Sequence, residues 1–600
     1  MSIRIGGASA FYGDSQLAAR QLVDHGNIDY LVFDYLAEVT MALLAQVKIK
    51  NPDAGFAADF VSVAMQDVLE DCAKKGVKII ANAGGVNVSS CVKAVRALCE
   101  SKGLELSIAG VSGDDLTATR DEYKEGEMLD MESEEALPSS PISMNAYLGA
   151  VPIKEALDAG ADIVITGRVV DSAVTLGPLM HEFGWSENEY DLLAQGSLCG
   201  HVIECGAQCT GGNFTDWHLV PDFSTIGYPV AEIHESGEFT ISLPKQSSGL
   251  VNIGSVSEQI VYEIGDPANY LLPDVACDFS NVKVEQEGDN VVRVTGAKGR
   301  PPGNRYKVCT TWIDGYRLLG SFYMAGPRSV DKAQTALNAW VKRTQKVFAE
   351  RGWEDYRNVS LGVIGSEGNY GARSLGQDNR EVMGKFGLHH NSKAALMFAS
   401  MEMAYLATSG PPAMSGFGSG RVRPQPLIKI HSSLIDKSRV PITITVDDQR
   451  LEDRIYSSSS SEMITGPSPK SHGASSLIEV SDSGDTVLVP LEALAYGRSG
   501  DKGDNANIGI ISRKPVFLEL IIQQVTEEAV SEYFSHLLEG QTRRYFMPGI
   551  NAVNFLLTKA LGGGGTASIR IDSQAKTYAQ MLLSLPIAVP KKMAKEYGLS

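Results

Sequence analysis

The residues best suited to chemistry lie in five polar segments, most of them rich in glycine, each following a short apolar run. In an open parallel sheet, ligands bind beyond the carboxyl ends of the strands, where helix N-termini present free N–H groups. Five such segments after successive strands are therefore predicted to meet at one edge of a sheet and form a shared site. Their candidate ligand-binding residues are Gly7, Ser9, Asp14, Ser15, Asp34, Asn82, Gly84, Gly85 and Ser172.

Carboxylates dominate these segments, and Arg168 is their obvious cation. A carboxylate close to an anion-binding arginine suits general acid–base catalysis, provided that burial moves its pKa toward neutrality. We therefore predict Glu38, Arg168 and Asp171 as catalytic, with Asp171 or Glu38 as the acid–base group and Arg168 as the clamp for an anion. The alternative is that Arg168 and Asp171, three residues apart where a helix starts, pair with each other and act only as a structural cap.

The strand ends lack the known signatures of nucleotide binding. Neither a G-x-x-x-x-G-K-[ST] loop nor a G-x-G-x-x-G fingerprint follows any of them. A nucleoside triphosphate or a dinucleotide therefore has no support, and no cofactor is predicted. A divalent metal among the clustered carboxylates remains a lesser alternative.

A further candidate segment runs from His201 to Phe214. Its Thr-Gly-Gly-Asn stretch offers consecutive backbone N–H groups of the kind that bind carboxylate or phosphate oxygens. It is predicted as a cradle for a developing oxyanion. The candidate ligand-binding residues are Glu204, Thr210, Gly211, Gly212 and Asn213.

Two other interpretations of this segment involve its cysteines. Cys205 or Cys209 could act as a nucleophile if a neighbouring cation lowered the pKa of its thiol. His201, Glu204, Cys205 and Cys209 could also be zinc ligands. Their spacing matches no established zinc pattern, and cysteines of this kind are more commonly core residues.

A dense polar stretch, Gly497–Asn507, precedes an apolar strand near the end of the chain. Packing gives no reason for such polarity, and the alternative is a surface turn closed by Asx hydrogen bonds. We predict a loop that closes over the same cleft, either within one chain or from a neighbouring subunit. Its candidate ligand-binding residues are Arg498, Ser499, Asp501, Lys502, Asp504, Asn505 and Asn507.

Three smaller features of the sequence are an arginine pair with a nearby asparagine, a run of four glycines and a pair of histidines. Arg543, Arg544 and Asn551 could complete an anion pocket in the same C-terminal module. Gly562–Gly565 is interpreted as a tether without chemistry. The pair His389 and His390 is predicted to lie in a loop beside a helix, with a surface role.

The pattern of elements predicts an α/β fold with a parallel-sheet core. Over the first 170 residues, short apolar runs alternate with helical patterns, which implies parallel strands with right-handed crossovers. From about 215 to 330 short strands and turns predict a strand-rich insertion, with one strand at Gln259–Glu263. The core domain is assigned to 1–453.

The C-terminal part is predicted to be separate. Residues 454–485 are rich in Ser, Gly and charge, which is typical of a linker. Residues 486–600 mix strands, including one at Ser568–Ile571, with helices, which predicts a small α+β domain.

The bulk composition excludes several classes of protein. A chain of six hundred residues is too long for a single hydrophobic core, so two or three domains are expected. The net charge of −19 argues against nucleic-acid binding, which needs clustered Lys and Arg. No apolar run is long enough for a membrane helix, and no secretory leader is predicted. The eight cysteines lack C-x-x-C spacing and are interpreted as reduced thiols, so a cytoplasmic protein is expected.

Several of these segments together resemble the acyclic terpene utilisation protein A family. The resemblance is carried by Ile-Gly-Gly, Gly-Asp-Ser, Asp-Tyr-Leu-Ala-Glu, Asn-Ala-Gly-Gly, Thr-Gly-Arg-Val-Val-Asp-Ser-Ala and Thr-Gly-Gly-Asn-Phe, and by Tyr262-Glu263 through Asp274 and Ser409 through Arg421. The stretch from Arg498 to Asn507 is similar to the ferredoxin-fold-like domain that accompanies this family.

The resemblance implies a role in catabolism of acyclic terpenoids such as citronellol and geraniol, or of related branched acids handled as CoA thioesters. Our first hypothesis is a cofactor-independent hydratase or lyase acting on a branched acyl thioester or acid. The second is a non-catalytic subunit that holds an acyl intermediate, and the third is a metal-dependent enzyme. A homo-oligomer is expected.

Overall fold

Five parallel strands form the centre of an 11-stranded sheet in the computed structural model, which describes residues 1–123, 126–416, 420–451, 453–456 and 486–599. The strands are short apolar runs buried on both faces, as parallel strands usually are. In spatial order they are Ser2–Gly7, Tyr30–Phe33, Lys78–Ala81, Ile163–Thr166 and Ile108–Ser112. The predicted parallel core is confirmed, and all five strands end at one edge.

Helices cover both faces of this sheet. Tyr30 and Val32 pack into one hydrophobic cluster, whereas Leu31 and Phe33 pack into the other. This follows from the two-residue period of a strand, which sends alternate side chains to opposite faces. The helices are Ala18–His25, Glu38–Lys50, Gln66–Lys75 after a π-helical turn Phe60–Met65, Val88–Ser101, Val151–Asp158, Ala173–Phe183 and Tyr190–Ile203.

The strand-rich region mainly extends the same sheet. Val230–His234 pairs antiparallel with Ser2–Gly7, followed outward by Phe239–Ser242, Val291–Thr295 and Lys283–Gly288. Thr443–Val446 and Gln449–Arg450 extend the opposite side, and Tyr270–Leu271, Ala276–Asp278 and Lys298–Arg300 form a small separate sheet.

The predicted strand Gln259–Glu263 is wrong. Helix Ile253–Ile260 occupies its first part, because Asn252 and Ser255 form a capping box that starts a helix there.

A second sheet is built on the 21-residue strand Arg305–Ala325. This strand pairs with Ser143–Ala146, Gln425–Asp436, Glu381–His390 and Met414–Gly416, and Asn358–Ile364 completes the sheet. Helices Ser329–Glu350, Lys393–Glu402 and Leu406–Ser409 pack nearby.

The loop and surface role predicted for the histidine pair are wrong. His389 and His390 end a strand and are buried, and their Nε2 atoms lie 2.7 and 2.9 Å from the carbonyl oxygens of Asp314 and Glu354.

The C-terminal module contains a four-stranded antiparallel sheet. Its strands, in spatial order, are Ala495–Lys502, Asn505–Ser512, Ala552–Leu557 and Thr542–Met547. Thr486–Pro490 pairs with Pro586–Pro590, and the helices are Leu518–Gln524, Glu527–Tyr533, Gly564–Ala567, Tyr578–Leu582 and Lys591–Tyr597.

Several predictions for this module need correction. Gly497–Asn507 is a β-hairpin rather than a loop, and Ser568–Ile571 is not a strand. Arg544 donates to the carbonyls of Ile522 and Val525, so it holds the module together rather than lining an anion pocket. Most of the predicted linker, residues 457–485, lies outside the described residues, so the domain boundaries stay a prediction.

The C-terminal module packs directly against the core. Arg513 forms a bidentate ion pair with Asp216 at 2.7 and 2.6 Å, a geometry that strengthens an arginine–carboxylate contact. Asn507 and Asn554 bond to each other and to the backbone of Gly265. Among the described residues, no helix combines the length and the apolar composition needed to cross a membrane.

Candidate active site

Asp34 is a buried carboxyl at the end of the second parallel strand. The side-chain NH₂ of Asn82 donates to it from the end of the next strand, while the side-chain oxygen Oδ1 of Asn82 accepts the backbone N–H of Tyr35 at 2.7 Å. Ser9 donates to the Asp34 carbonyl at 3.1 Å. Burial, together with the charges of Asp171 and Glu204, raises the pKa of Asp34 well above its ordinary value, although Arg168 opposes this. This environment favours the protonated form of Asp34.

Arg168 is the buried cation of this edge. Its side chain is only 4% exposed, and it pairs at 2.6 Å with Asp171, whose side chain is 40% exposed. The guanidinium carbon lies 4.2 Å from the centre of the Tyr147 ring. The backbone N–H of Arg168 donates to Asp114 at 2.9 Å, which fixes the start of the loop. The predicted pair of Arg168 and Asp171 thus forms at a point where a buried charge meets solvent.

Glu38 begins the helix Glu38–Lys50 and is strongly ionised. The hydroxyl of Tyr147 donates to it at 2.7 Å, and the ammonium of Lys307 lies 3.7 Å away. Burial alone would raise the pKa of Glu38, but Lys307 and Arg168 lower it to about 2. Glu38 is therefore a poor proton acceptor near neutrality, which disfavours it as the acid–base group.

Glu204 adds a second protonatable carboxyl. It lies 3.1 Å from His201, whose other ring nitrogen is 3.3 Å from the carbonyl of Ile260. Burial raises the pKa of Glu204 to about 7 against the opposing effect of His201. A carboxyl that titrates near neutrality can both take and give a proton at working pH.

Three neighbouring carboxyls are thus driven to different protonation states. The pKa of Asp34 is raised well above its ordinary value, that of Glu204 is raised to about 7, and that of Glu38 is lowered to about 2. Environments that separate the pKa values of adjacent carboxyls are typical of acid–base active sites. Sequence reasoning selected Glu38 or Asp171 for this role, whereas the structure favours Asp34 or Glu204.

The C-terminal hairpin lies against this site within the same chain. Lys502 stands 5.5 Å from the ring centre of Tyr270, and the Tyr270 ring in turn lies tilted against that of His201, with 5.9 Å between the ring centres. Asn505 donates to Glu132 at 2.6 Å. Burial and Glu263 raise the pKa of Asp501 to about 6, with Lys576 opposing and Glu38 contributing. The hairpin therefore brings Asp501 and Lys502 to the group formed by Asp34, Glu38, Arg168 and Glu204. We call this group the carboxylate cluster.

Four other residues of the hairpin have structural partners. The Asp504 carboxylate accepts the N–H groups of Gly563 and Gly564, so the glycine run anchors the hairpin rather than acting as a free tether. Ser499 bonds to the backbone of Ala575 and Ala579. Asn507 bonds to the Val261 carbonyl, and Arg498 reaches Gln208 and Asn213.

The predicted backbone cradle at Thr210–Asn213 is wrong. The N–H of Gly212 donates to the Ala207 carbonyl at 2.8 Å, and that of Gly211 donates to Gln208. The Thr210 hydroxyl donates to carbonyls at 2.9 and 2.6 Å. Because these donors are already used inside the loop, they are not available to an oxyanion. The Asn213 carbonyl instead accepts a hydrogen bond from Arg498, so the segment docks the C-terminal module.

The remaining predicted residues mainly shape the loops. A Cβ on Gly7 would lie 2.6 Å from the Ile203 carbonyl, and one on Gly84 equally close to that of Thr166. Gly85 has φ +56°, a left-handed conformation that favours glycine. Ser172 is buried against Gly200 at the start of a helix.

Asp14 and Ser15 lie in a neighbouring small cavity rather than in the Arg168 cluster. The Asp14 carboxylate accepts from Ala10, Ser15 and Tyr228. Ser9, Tyr35 and Asp59 line the same cavity.

The cysteines do not have the environment of a nucleophile. All eight are free, and burial raises the pKa of Cys209 to about 12 and that of Cys205 well above its ordinary value. Low-pKa, cation-flanked thiols are the reactive ones. Among the residues that the structure describes, no three His, Cys, Asp or Glu side chains are grouped so as to hold a metal. His201 and Glu204 pair with each other instead.

Sequence reasoning missed Tyr147 and Lys307, and did not assign Lys576. Tyr147 follows a short strand of the second sheet, Lys307 lies in the 21-residue strand, and Lys576 ion-pairs with Glu263 and Asp501 at 3.4 and 3.5 Å. None lies in a polar loop after a parallel strand. For Lys576, the sequence signal was its partner Glu263, which belongs to the Tyr262-Glu263 motif.

Comparison with known protein families accounts for most of the chain. The model described as "Acyclic terpene utilisation family protein AtuA" matches residues 3–446, and the AtuA ferredoxin-like domain matches residues 489–588. The chain belongs to the acyclic terpene utilisation family.

No curated protein and no solved structure matches the chain. The family gives a role in acyclic terpene utilisation, and the two matches reproduce the fused architecture that the motifs indicated. In this AtuA family chain, both matched regions contribute residues to the carboxylate cluster: Asp34, Glu38, Arg168 and Glu204 from the first, Asp501 and Lys502 from the second.

The raised pKa of Glu204 predicts a pH-dependent difference in stability between the wild type and Glu204→Gln. The folded protein keeps this proton up to about pH 7, while the unfolded chain releases it near its ordinary value of 4.5. The free energy of unfolding of the wild type should therefore fall, relative to the variant, by about 1–3 kcal/mol as the pH rises from 4.5 to 7. Urea denaturation at pH 5, 6 and 8 measures this difference.

The exposed Glu100 provides the control, since Glu100→Gln removes a carboxyl of the same length from a helix surface. Its stability should follow that of the wild type at every pH. Parallel curves for the wild type and Glu204→Gln would show that Glu204 has no raised pKa in the folded protein.

Proposed function

We propose that this chain is a cofactor-independent hydratase or lyase that acts on a branched acyl thioester or the related acid. The observation that carries the proposal is the separation of protonation states around Arg168: a protonated Asp34, an ionised Glu38 and a Glu204 that titrates near neutrality. Addition or removal of water across a double bond next to a carbonyl requires a proton donor, a proton acceptor and a cation for the developing enolate. These residues supply all three.

Arg168 takes the role of the cation. It is buried, so its interaction with a carbonyl oxygen is little screened by water, and its position is fixed by Tyr147, Asp171 and the bond from its N–H to Asp114. A guanidinium held in this way is already oriented when negative charge develops on the thioester oxygen. Asp171 balances the charge of Arg168 in the absence of substrate.

Asp34 and Glu204 take the proton-transfer roles. In hydration, Glu204 removes a proton from water as its oxygen adds to the β-carbon, and Asp34 donates a proton to the α-carbon. The sum is one water added, and return of the proton from Glu204 to Asp34 resets the site.

The cations around the site suit an anionic substrate. Lys307 and Lys576 have partly exposed ammonium groups, with side chains 36% and 41% accessible, and Lys502 is exposed on the hairpin. These cations can attract a carboxylate or the phosphates of a CoA thioester. The acyl part then reaches inward toward Arg168.

Incubation of the full chain with a panel of branched enoyl-CoA and hydroxyacyl-CoA thioesters, followed by product mass, tests the proposal. We expect one class of thioester to gain or lose the mass of water, or to be cleaved, without added cofactor. Tight retention of a thioester with no change of mass would instead support a binding subunit. If no thioester or free acid of the panel binds or reacts, with or without divalent metal, the proposed function is wrong.

A further inference from the structure

A second cavity lies apart from the carboxylate cluster and shares no lining residue with it. Its volume is about 210 Å³, which corresponds to about seven water molecules at ~30 Å³ each. Rigid residues line it, with Pro152, Pro273, Pro301, Tyr190 and Tyr306 among them, and its wall is polar and apolar in about equal parts. Such walls suit a ligand of a few heavy atoms that carries both a polar group and a short apolar part.

The strand Arg305–Ala325 separates this cavity from the proposed active site. Tyr306 lines the cavity, while the next residue, Lys307, lies 3.7 Å from Glu38. Successive side chains of a strand point to opposite faces, so the cavity and the active site lie on opposite sides of one strand. The cavity is therefore a distinct site, and its chemistry is independent of the proposed function.

Lys437 supplies the reactive group of the cavity. Its side chain is buried, with the residue 4% exposed, and it follows the strand Gln425–Asp436. The nitrogen donates to the Pro273 carbonyl at 2.6 Å and lies 5.4 Å from the centre of the Tyr306 ring. Among the described residues, no carboxylate lies within 4.0 Å of it. A buried ammonium without an ion pair is costly, which favours the neutral amine, and burial lowers the pKa of Lys437.

Two carboxylates near Lys437 decide which ligand the cavity accepts. Asp274 is buried and accepts the N–H of Ala150 at 2.8 Å, whereas Glu187 is exposed at the rim. Both raise the pKa of Lys437, but the opposing effect of burial is larger. A ligand with its own negative charge would be repelled by both, so a neutral ligand fits better. A neutral amine that faces a small cavity next to carboxyl groups is suited to attack on a carbonyl carbon.

We propose that the Lys437 amine forms an imine with a small, neutral aldehyde or ketone bound in this cavity. The nitrogen lone pair attacks the carbonyl carbon, and the carbonyl oxygen takes up a proton to give a carbinolamine. The C–O bond then breaks, the oxygen leaves as water with both protons of the amine nitrogen, and the C=N bond forms. Asp274 can relay the protons to the departing oxygen. No electrons are gained or lost, and no co-reactant is required.

Reductive trapping of the full chain with 3-methylbutanal and cyanoborohydride tests this proposal. Peptide mass mapping should place the reduced adduct on Lys437 at least about ten times faster than on the exposed Lys346, because general acid–base assistance contributes factors of this size or more. Labelling of Lys437 no faster than that of Lys346 would overturn the proposal. Mapping of the wild type decides this point without any variant.

Two further measurements separate the chemistry from simple accessibility. Lys437→Arg keeps a long side chain with a hydrogen-bond donor but cannot form an imine, so the fast adduct should disappear and not move to a neighbouring lysine. Excess 3-methylbutanol should slow labelling of Lys437, while 3-methylbutanoate should not. Equal protection by the carboxylate would show that the cavity binds anions, and the inference of a neutral carbonyl ligand would then be wrong.

Discussion

Replacement of Asp34 by Asn should lower kcat at least about 100-fold and leave the fold intact. General acid catalysis by a positioned side chain typically contributes a factor of 10² to 10⁴. Asn has nearly the same shape and can still accept the hydrogen bond from the Asn82 amide, but it cannot give a proton to the substrate. Because Asp34 is held neutral in the folded protein, a neutral amide should not unbalance the buried charges. Steady-state kinetics with the thioester found by product mass, together with urea denaturation, measures both effects.

Asp24→Asn is the matched control, since Asp24 lies on the surface in an ion pair with Arg20. Its kcat should equal that of the wild type. If Asp34→Asn retains kcat and raises only KM, Asp34 binds substrate and transfers no proton. An unchanged kcat/KM would remove Asp34 from the site altogether.

Replacement of Arg168 by Met should abolish ligand binding and turnover and lower the free energy of unfolding. Removal of one partner from a buried charge pair typically costs about 3–5 kcal/mol, because the remaining charge has no partner. Here Asp171 and Glu38 would lose their buried cation. Isothermal titration calorimetry with the thioester and urea denaturation measure the two losses. Arg168→Lys should recover part of the stability but not the turnover, since an ammonium cannot reproduce the planar guanidinium.

Arg20→Met is the matched control for Arg168→Met, because it makes the same substitution at the surface. It pairs with Asp24, Asp67 and Asp71, and its side chain is 28% exposed. Arg20→Met should cost at most about 1 kcal/mol, as exposed ion pairs do, and leave thioester binding unchanged. Wild-type affinity in Arg168→Met would rule out Arg168 as the clamp for the substrate.

The part of the site that local sequence predicts is the edge of the parallel sheet. Apolar runs followed by polar glycine segments fix five strand ends, and parallel connections bring those ends to one edge. Asp34, Asn82, Arg168 and Asp171 were found in this way, and the structure joins Asp34 to Asn82 and Arg168 to Asp171. Short-range pattern is enough here, because each residue lies next to the strand that positions it.

The rest of the site depends on contacts between residues that are far apart in sequence. Tyr147 and Lys307 reach Glu38 from a second sheet, and Asp501 and Lys502 come from the C-terminal hairpin. A polar run such as Gly497–Asn507 fits a loop or a hairpin equally well, and only pairing with Ala552–Leu557 determines which forms.

The predictions at Thr210–Asn213 and at His389 and His390 failed for the same reason. Whether an N–H or an imidazole is free depends on partners that local sequence does not reveal. The carbonyls of Ala207 and Gln208 occupy two N–H groups of the first segment, and the carbonyls of Asp314 and Glu354 contact the two histidines.

The protonation state of Asp34 is the most direct test of the proposed mechanism, which depends on a protonated Asp34 as the proton donor and on Glu204 as the proton acceptor. Infrared difference spectra between the wild type and Asp34→Asn at pH 7 report the carbonyl stretch of a carboxylic acid. We predict that the wild type shows this band and that Asp34→Asn lacks it. A difference spectrum with only carboxylate bands would mean that Asp34 is ionised, and the proposed proton donor would be wrong.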